Sequence, residues 1–301
     1  MKRAAVILSI AALLPVAFAI GSPIRVMPLG DSITVGYPGT NSYRKTLKEL
    51  LQNNGHAVDF VGSQTYGEFA DNQHEGHNGW YADDATATNT ILSHVAGWMT
   101  ATPADIILLH IGTNDILSES ANATEVSDIL DEIFSVNSNA TVVLALIINS
   151  TNRYNVEIST YNSNLNSMAQ LRIASGEDLI VVDMGNGAGL DYTNPSVDMA
   201  DTYHPSQLGY DKMATNWFPA VVQAIINQIR VPTIDSISVA DSSVNLAISN
   251  LSTGKQITIE QTETLIPPAW SNVGLFVSDA SLTNWTGPAS MRSAYYRVIS
   301  E

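Results

Sequence analysis

The stretch MPLGDSITVG, residues 27–36, decides how the fold is read. The apolar run IRVMPLG (24–30) ends at a glycine and gives way at once to Asp31 and Ser32. Such a run suits a strand buried on both faces, which puts the serine in the turn beyond its carboxyl end. The spacing is not the G-x-S-x-G of an ordinary nucleophile elbow. Ser32 is therefore either an attacking group or a turn residue, and the rest of the chain has to decide.

Four more runs have the same character: AVDFVGS (57–63), DIILLHIG (105–112), TVVLALII (141–148) and DLIVVDM (178–184). Amphipathic stretches separate them. In YRKTLKELLQNNG (43–55), Leu47, Leu50 and Leu51 fall on one face and Gly55 ends the helix. This alternation predicts an α/β domain with a parallel, doubly wound sheet up to about residue 230. Ligands of such sheets sit beyond the carboxyl ends of the strands, where Ser32, Gly62, Asn114 and the loop after Met184 all fall.

After Val231-Pro232 the period changes to two, in ISVADSSVNLAIS (237–249), GKQITIEQTETL (254–265) and AYYRVIS (294–300). With turn signals at Ser252–Gly254 and Pro267–Pro268, this predicts a small antiparallel β module of about 70 residues. It resembles the short C-terminal β-sandwich modules of some secreted bacterial enzymes. Trp270, Trp285, Tyr295 and Tyr296 read as its core in preference to a sugar-stacking platform. No internal repeat or low-complexity linker is present.

The N-terminus carries Lys2 and Arg3, an apolar run from Ala4 to Leu14, then Pro15 and the small-residue pattern Ala17-Phe18-Ala19. This is the pattern of a signal peptide spanning residues 1–19. The rival, a membrane anchor, is disfavoured because Ser9, Pro15, Gly21 and Pro23 interrupt the run. The expected organisation is then 1–19 signal, 20–230 α/β domain and 231–301 β module, exported to the periplasm or the exterior without further membrane association. The chain contains no cysteine, which excludes disulfides, thiolate metal sites and a lipidated N-terminal cysteine. Removing Lys2 and Arg3 takes 13 cations to 11 against 29 acids, a net charge of −18. So acidic a chain lacks the basic stripe that nucleic acid requires; the charge reads as solubility. No feature sets an oligomeric state.

A serine hydroxyl is a weak nucleophile without a base to take its proton, and the base needs a carboxylate to hold its tautomer. DMADTYHPSQLGYDKMA (198–214) supplies both. Asp201 and His204, three apart on one loop, can meet locally and leave the other ring nitrogen for Ser32. Pro205 stiffens the loop, and a capped helix begins from Ser206. The oxyanion needs donors: the Ser32 N–H, the backbone N–H of Gly62 in DFVGS, and the amide of Asn114 in HIGTND.

GDSIT around Ser32, Gly62, GTND around Asn114 and DTYH ending at His204 occur in the order of the four blocks of the GDSL, or SGNH, hydrolases. The chain resembles that family over residues 24–228. The resemblance implies a flavodoxin-like three-layer fold, Ser32 as nucleophile, Asp201 and His204 completing a triad, and Gly62 and Asn114 in the oxyanion hole. RVMPLGDSITVG, SYRKTL, VDFVGSQ, HEGHNGW and HPSQLGYDKMA are most similar to carbohydrate esterase family 3, whose members typically deacetylate xylan. The C-terminal module is a departure from that pattern.

Other residues have plainer readings. Asp198 is the alternative partner for His204; Asp31 bonds its own turn and Asp115 caps or braces the loop after the third strand. His74, Glu75 and His77 in HEGHNGW invite a zinc reading, but the spacing is not HExxH and Gly76 and Gly79 favour a loop forming a wall of the cleft. DMGNGAGLDYTNPSVD (183–198) holds several carboxylates without EF-hand spacing, so no metal is assigned. His110 reads as a packed core histidine, and His56 and His94 carry no signal. The expectation is a secreted serine esterase that removes acetyl groups from polysaccharide such as xylan, without a cofactor. Its activity should rise with pH through the histidine range, because His204 must be neutral to act. The alternatives are a broad short-chain arylesterase or lysophospholipase-like enzyme, a carbohydrate-binding surface protein and a metal-dependent hydrolase.

Overall fold

The computed structural model describes residues 23–228 apart from 85, 153, 194 and 195, and then 233–240, 243–249, 251, 256–264, 268–278, 282–288 and 294–300. The chain divides into two compact units, one of them Ser22–Gln228 and the other containing Ile229–Glu301. The expected signal (1–19), the change of pattern at Val231-Pro232 and the turn signals at Ser252–Gly254 and Pro267 lie outside the described residues.

The first unit runs β1 (Ile24–Gly30), α1 (Ser32–Val35), α2 (Ser42–Asn53), β2 (Val58–Phe60), β3 (Gln64–Thr65), β4 (Gln73–Gly76), α3 (Val95–Ala101), β5 (Ile106–His110), α4 (Thr113–Leu117), α5 (Ala123–Val136), β6 (Thr141–Leu146), α6 (Asn155–Ala174), β7 (Leu179–Asp183) and α7 (Gln207–Gln228). The strand order is β3-β4-β1-β5-β6-β7, with β2 also beside β1, and every pairing is parallel except β3 with β4. Apart from the β3 edge, this is the 2-1-3-4-5 order of flavodoxin-like sheets.

The continuous apolar runs have a simple cause: each strand feeds two cores. Met27, Leu29, Ile107, Leu109, Val142 and Leu144 point to one face, under α3, α5 and α6. Val26, Ile106, Leu108, Val143 and Ala145 point to the other, under α2 and α7. On α2, Leu47 and Leu51 are fully buried, each worth roughly 1.5–3 kcal/mol. Leu50 is only half-buried, and Arg44 and Lys48 are buried beside those leucines instead. Gly55 follows the helix at φ 81°, as expected of a residue just past its end.

Two expectations are corrected. The second apolar run forms a strand only over Val58–Phe60, pairing with the first half of β1 (Ile24↔Val58 to Val26↔Phe60). The HEGHNGW segment is not all loop: Gln73–Gly76 is a strand, and it takes over the same edge further on (Leu29↔Glu75, Gly30↔Gly76). Gly62 makes the exchange possible. Its φ is 154°, and a Cβ there would lie 2.2 Å from the His74 carbonyl carbon and oxygen. No apolar period marks β4, because its buried residues are His74 and Glu75.

In the second unit, β8 (Thr233–Ala240), β9 (Ser243–Ser249), β10 (Gln256–Thr262), β11 (Ser271–Val277), β12 (Thr283–Pro288) and β13 (Tyr295–Ser300) form two antiparallel sheets, β12-β9-β8 and β11-β10-β13. Val244, Leu246 and Ile248 of β9 and Ile257 and Ile259 of β10 share one core. Trp285 and Tyr296 pack against it, while Trp270 lies under the Arg297 guanidinium at 4.4 Å and Tyr295 is half-buried.

Candidate active site

Ser32 opens α1, one helical turn placed by the end of β1. The Asp31 carboxylate caps it by accepting from Ile33 N–H at 2.9 Å. Burial pushes the Asp31 carboxyl up to about 6, against the lowering effect of the Ile33 N–H. Two residues of α2 hold the turn from behind. Ser42 Oγ donates to the carbonyls of Ile33 and Thr34 at 3.2 and 3.1 Å. The buried Arg44 guanidinium donates to Thr34 O (3.0 Å), Val35 O (2.9 Å), Tyr66 O (2.8 Å) and Asn72 O (2.8 Å). Burial lowers Arg44 to about 10, so it stays cationic at neutral pH, balanced by carbonyl dipoles.

His204 reaches Ser32 from the loop before α7. Its Nε2 lies 2.9 Å from Ser32 Oγ, and its Nδ1 lies 2.9 and 3.0 Å from the two oxygens of Asp201. A carboxylate only accepts, so Nδ1 carries the hydrogen and Nε2 presents a lone pair to the serine hydroxyl. Asp201 Oδ1 also accepts from the N–H groups of Tyr203 and His204 at 2.8 and 2.7 Å. Partial burial raises the Asp201 carboxyl, but these N–H groups and the imidazole outweigh it and hold the group below its ordinary range. The loop is braced by Ala200 N–H on His204 O (2.9 Å), by Thr151 N–H on Thr202 O (3.1 Å) and by Asn152 on the Tyr203 hydroxyl (2.9 Å). Ser206 caps α7 by accepting from Gly209 N–H at 3.3 Å. The Tyr37 ring stands 5.8 Å from the His204 ring and forms a rim.

Gly62 and Asn114 lie at the same edge of the sheet, without a hydrogen bond to Ser32 among the described residues. Asn114 Nδ2 donates to Trp80 O at 2.8 Å, which leaves its second amide hydrogen free to point elsewhere. Next to Gly62, Ser63 gives its N–H and its hydroxyl to Glu75, both at 2.7 Å. Glu75 also takes His77 Nε2 at 2.7 Å, and His77 N–H donates to Gly30 O at 2.9 Å. HEGHNGW therefore braces both the β1 end and the Gly62 turn. His77 stacks against Trp80 and Trp98 at 4.3 and 4.5 Å, and His94 stacks on Trp98 at 5.4 Å. Sequence reasoning passed over Arg44, Trp98 and His94; the i, i+4 spacing of His94 and Trp98 was the available signal.

The remaining groups are engaged elsewhere. Asp198 accepts from Lys212 at 2.6 Å and from Asp191 N–H at 2.7 Å, away from His204. Asp115 accepts from Ala82 N–H at 3.0 and 3.2 Å, bracing the segment after Trp80, and burial pushes it up to about 7. His110 is fully buried, accepts weakly from Ile148 N–H at 3.3 Å, and is lowered to about 4 by burial. His74 is lowered to about 3 in the same way, and its Nδ1 accepts from Gly76 N–H. No cluster of three or more histidine, aspartate or glutamate side chains with metal-binding geometry occurs among the described residues.

A flavodoxin-like doubly wound sheet with a serine, a histidine and a carboxylate converging at its carboxyl edge is the arrangement of the SGNH hydrolase fold. The profile of the GDSL-like Lipase/Acylhydrolase family matches residues 29–212, and the chain belongs to that family. It is 30% identical over 224 residues to a multidomain esterase of Ruminococcus flavefaciens, covering 66% of this chain and 28% of that protein. It therefore spans little over a quarter of that relative's length. Solved structures are similar as well, two of them as follows. A family 3 carbohydrate esterase of Clostridium thermocellum shares 30% identity with a TM-score of 0.57, over 68% of this chain and 99% of the other. An acetyl esterase mutant with an acetate ion shares 27% identity with a TM-score of 0.57, again over 68% and 99%.

Proposed function

We propose that this chain is an exported serine esterase that removes acetyl groups from polysaccharide, xylan being the favoured substrate. The observation that carries the reading is the 2.9 Å contact between Ser32 Oγ and His204 Nε2, with Nδ1 of the same ring on Asp201. Ser32 Oγ attacks the ester carbonyl as its proton passes to His204 Nε2. The tetrahedral oxyanion is met by the N–H groups of Ser32 and Gly62 and by the amide of Asn114, each such donor being worth roughly 3 kcal/mol. His204 returns the proton to the departing sugar oxygen, which leaves as a hydroxyl, and acetyl-Ser32 remains. Water then attacks with His204 as base, and acetate leaves as Ser32 regains its hydrogen. Asp201 keeps the tautomer and stabilises the imidazolium. Likeness to a carbohydrate esterase and an acetyl esterase supports the substrate class.

The test is acetate release from acetylated xylan beside hydrolysis of p-nitrophenyl acetate, each with the Ser32→Ala variant as control. Release that disappears in the variant is expected. Hydrolysis of the synthetic ester alone would replace the polysaccharide reading with a broad short-chain esterase, and silence on both would remove the serine mechanism. Export rests on the pattern of residues 1–19; a secreted product whose mass begins at Ile20 is the expected outcome, and an uncut chain would reject it.

A further inference from the structure

A second feature of the carboxyl edge is not used by this chemistry. A cleft of about 380 Å³ opens beyond the ends of β6 and β7. One wall is α6, where Asn155, Ser159, Asn162, Ser163 and Asn166 recur at spacings of three and four and so share one face. The adjoining face of α6 is buried and apolar: Ile158, Tyr161, Leu165 and Ala169. Tyr192 and Asn186, from the loop after β7, complete the lining with Asn149 and Leu146. None of these side chains is charged, in a chain with a formal net charge of −16.

Several of the lining groups are available to a ligand. Asn155 and Asn166 use their oxygens, on Ser150 and Gln170, while their Nδ2 groups and the Ser159 and Ser163 hydroxyls have no hydrogen bond among the described residues. Asn162 is different: it holds both the N–H and the carbonyl of Ile147 at 2.8 and 2.9 Å, a fixed wall. Tyr192 is tethered through its hydroxyl to Gly185 O at 3.3 Å and is the aromatic ring in the lining. Amides and hydroxyls that both donate and accept, one ring, and no charge match a molecule of many hydroxyls and no ionised group. The absence of lysine and arginine from the lining disfavours an anion, and the absence of carboxylates disfavours a cation.

The cleft also has a neighbour on the side of the serine. Asn149 lines the cleft and a small neighbouring cavity bounded by Thr113, Ser150, Tyr154 and Tyr203. Thr113 precedes Asn114, and Tyr203 precedes His204. We propose that the α6 cleft binds uncharged sugar residues of the glycan whose ester lies at Ser32, an inference that rests on the esterase reading above and specifies how it selects polymer. Its volume lies in the range of roughly 300–1,000 Å³ typical of ligand sites, and its place matches where open α/β sheets hold ligands.

Calorimetric titration of the Ser32→Ala chain with xylotetraose, cellotetraose and mannotetraose tests this without turnover. At least one should bind with a Kd of about 1 mM or tighter. Ser163→Tyr, an exposed helical position that fills the cleft, should weaken that binding about tenfold or more, and Asn166→Ala should weaken it in the same direction. Circular dichroism melting confirms that each variant is folded. No binding by any of the three sugars, or binding indifferent to both substitutions, would overturn the proposal. Hydrolysis of p-nitrophenyl acetate by the chain with Ser32 intact reports on the esterase reading separately: turnover without sugar binding rejects the cleft alone, and sugar binding without turnover rejects the mechanism alone.

Discussion

At the scale of single residues, the hydrogen bonds among Ser32, His204 and Asp201 assign protons. Asp201 fixes the His204 tautomer, so Asp201→Asn should keep the fold while kcat falls by about 10³–10⁴, because an amide can equally donate to Nδ1 and reverse the tautomer. Steady-state kinetics beside circular dichroism checks this; an undiminished kcat would show that another group orients the ring. Asp115 makes a different prediction. Its carboxyl titrates from 3.8 in an unfolded chain to about 7 here, so between those values the folded state holds a proton that the unfolded state has released. That stabilisation is fully present below 3.8 and is lost as pH rises toward 7. Buried His74 and His110, both lowered, act in the opposite sense and lose stability as pH falls below 6.5. Urea unfolding between about pH 5 and 7 should therefore show Asp115→Asn shifting the slope of stability against pH upward by at most about 1.4 kcal/mol per unit. An identical slope in the variant would mean that Asp115 is ionised in the folded chain.

At the scale of elements, the site depends on how strands hand over. β2 leaves the edge of β1 after Phe60 and β4 takes its place, which is possible because Gly62 presents no side chain to the His74 backbone. Gly62→Ala should therefore destabilise the fold by roughly 2 kcal/mol or more and lower kcat as well. Denaturant unfolding and kinetics together check it, and an unchanged midpoint would mean that the backbone there relaxes freely. Arg44 ties α1 to the residues before β4 through four carbonyls. Replacing it with leucine removes the donor from Val35 O and Tyr66 O, while Thr34 O keeps Ser42 Oγ and Asn72 O keeps the Tyr66 N–H, an expected loss of about 3 kcal/mol. Arg44→Lys, which keeps the charge without the planar fork, should recover only part of this; full recovery in thermal unfolding would reduce the role of Arg44 to its charge. Neither feature is visible in a hydropathy pattern. β4 carries buried polar residues, and Arg44 sits on a face of α2 that the leucine spacing alone marks as apolar.

At the scale of the whole molecule, 29 acids against 13 cations set up a repulsion that the fold must tolerate. Raising NaCl from about 0.05 to 1 M should raise the melting temperature by several degrees, since screening acts on exposed charges. A flat or falling melting temperature would show that specific ion pairs outweigh net repulsion. The sequence by itself determined the five central strands, the serine after the first of them and the period-two module beyond residue 230, because burial on two faces and on one face leave different periods. It also determined the local contact between Asp201 and His204, because three residues on one turn need no tertiary help to meet. Only the tertiary structure decided that HEGH is a strand bracing Gly62, that Arg44 turns inward, and that the asparagines of α6 line a cleft. Each of these depends on which backbone carbonyl or loop lies opposite, and that is a property of packing between segments distant in the chain, which no local pattern records.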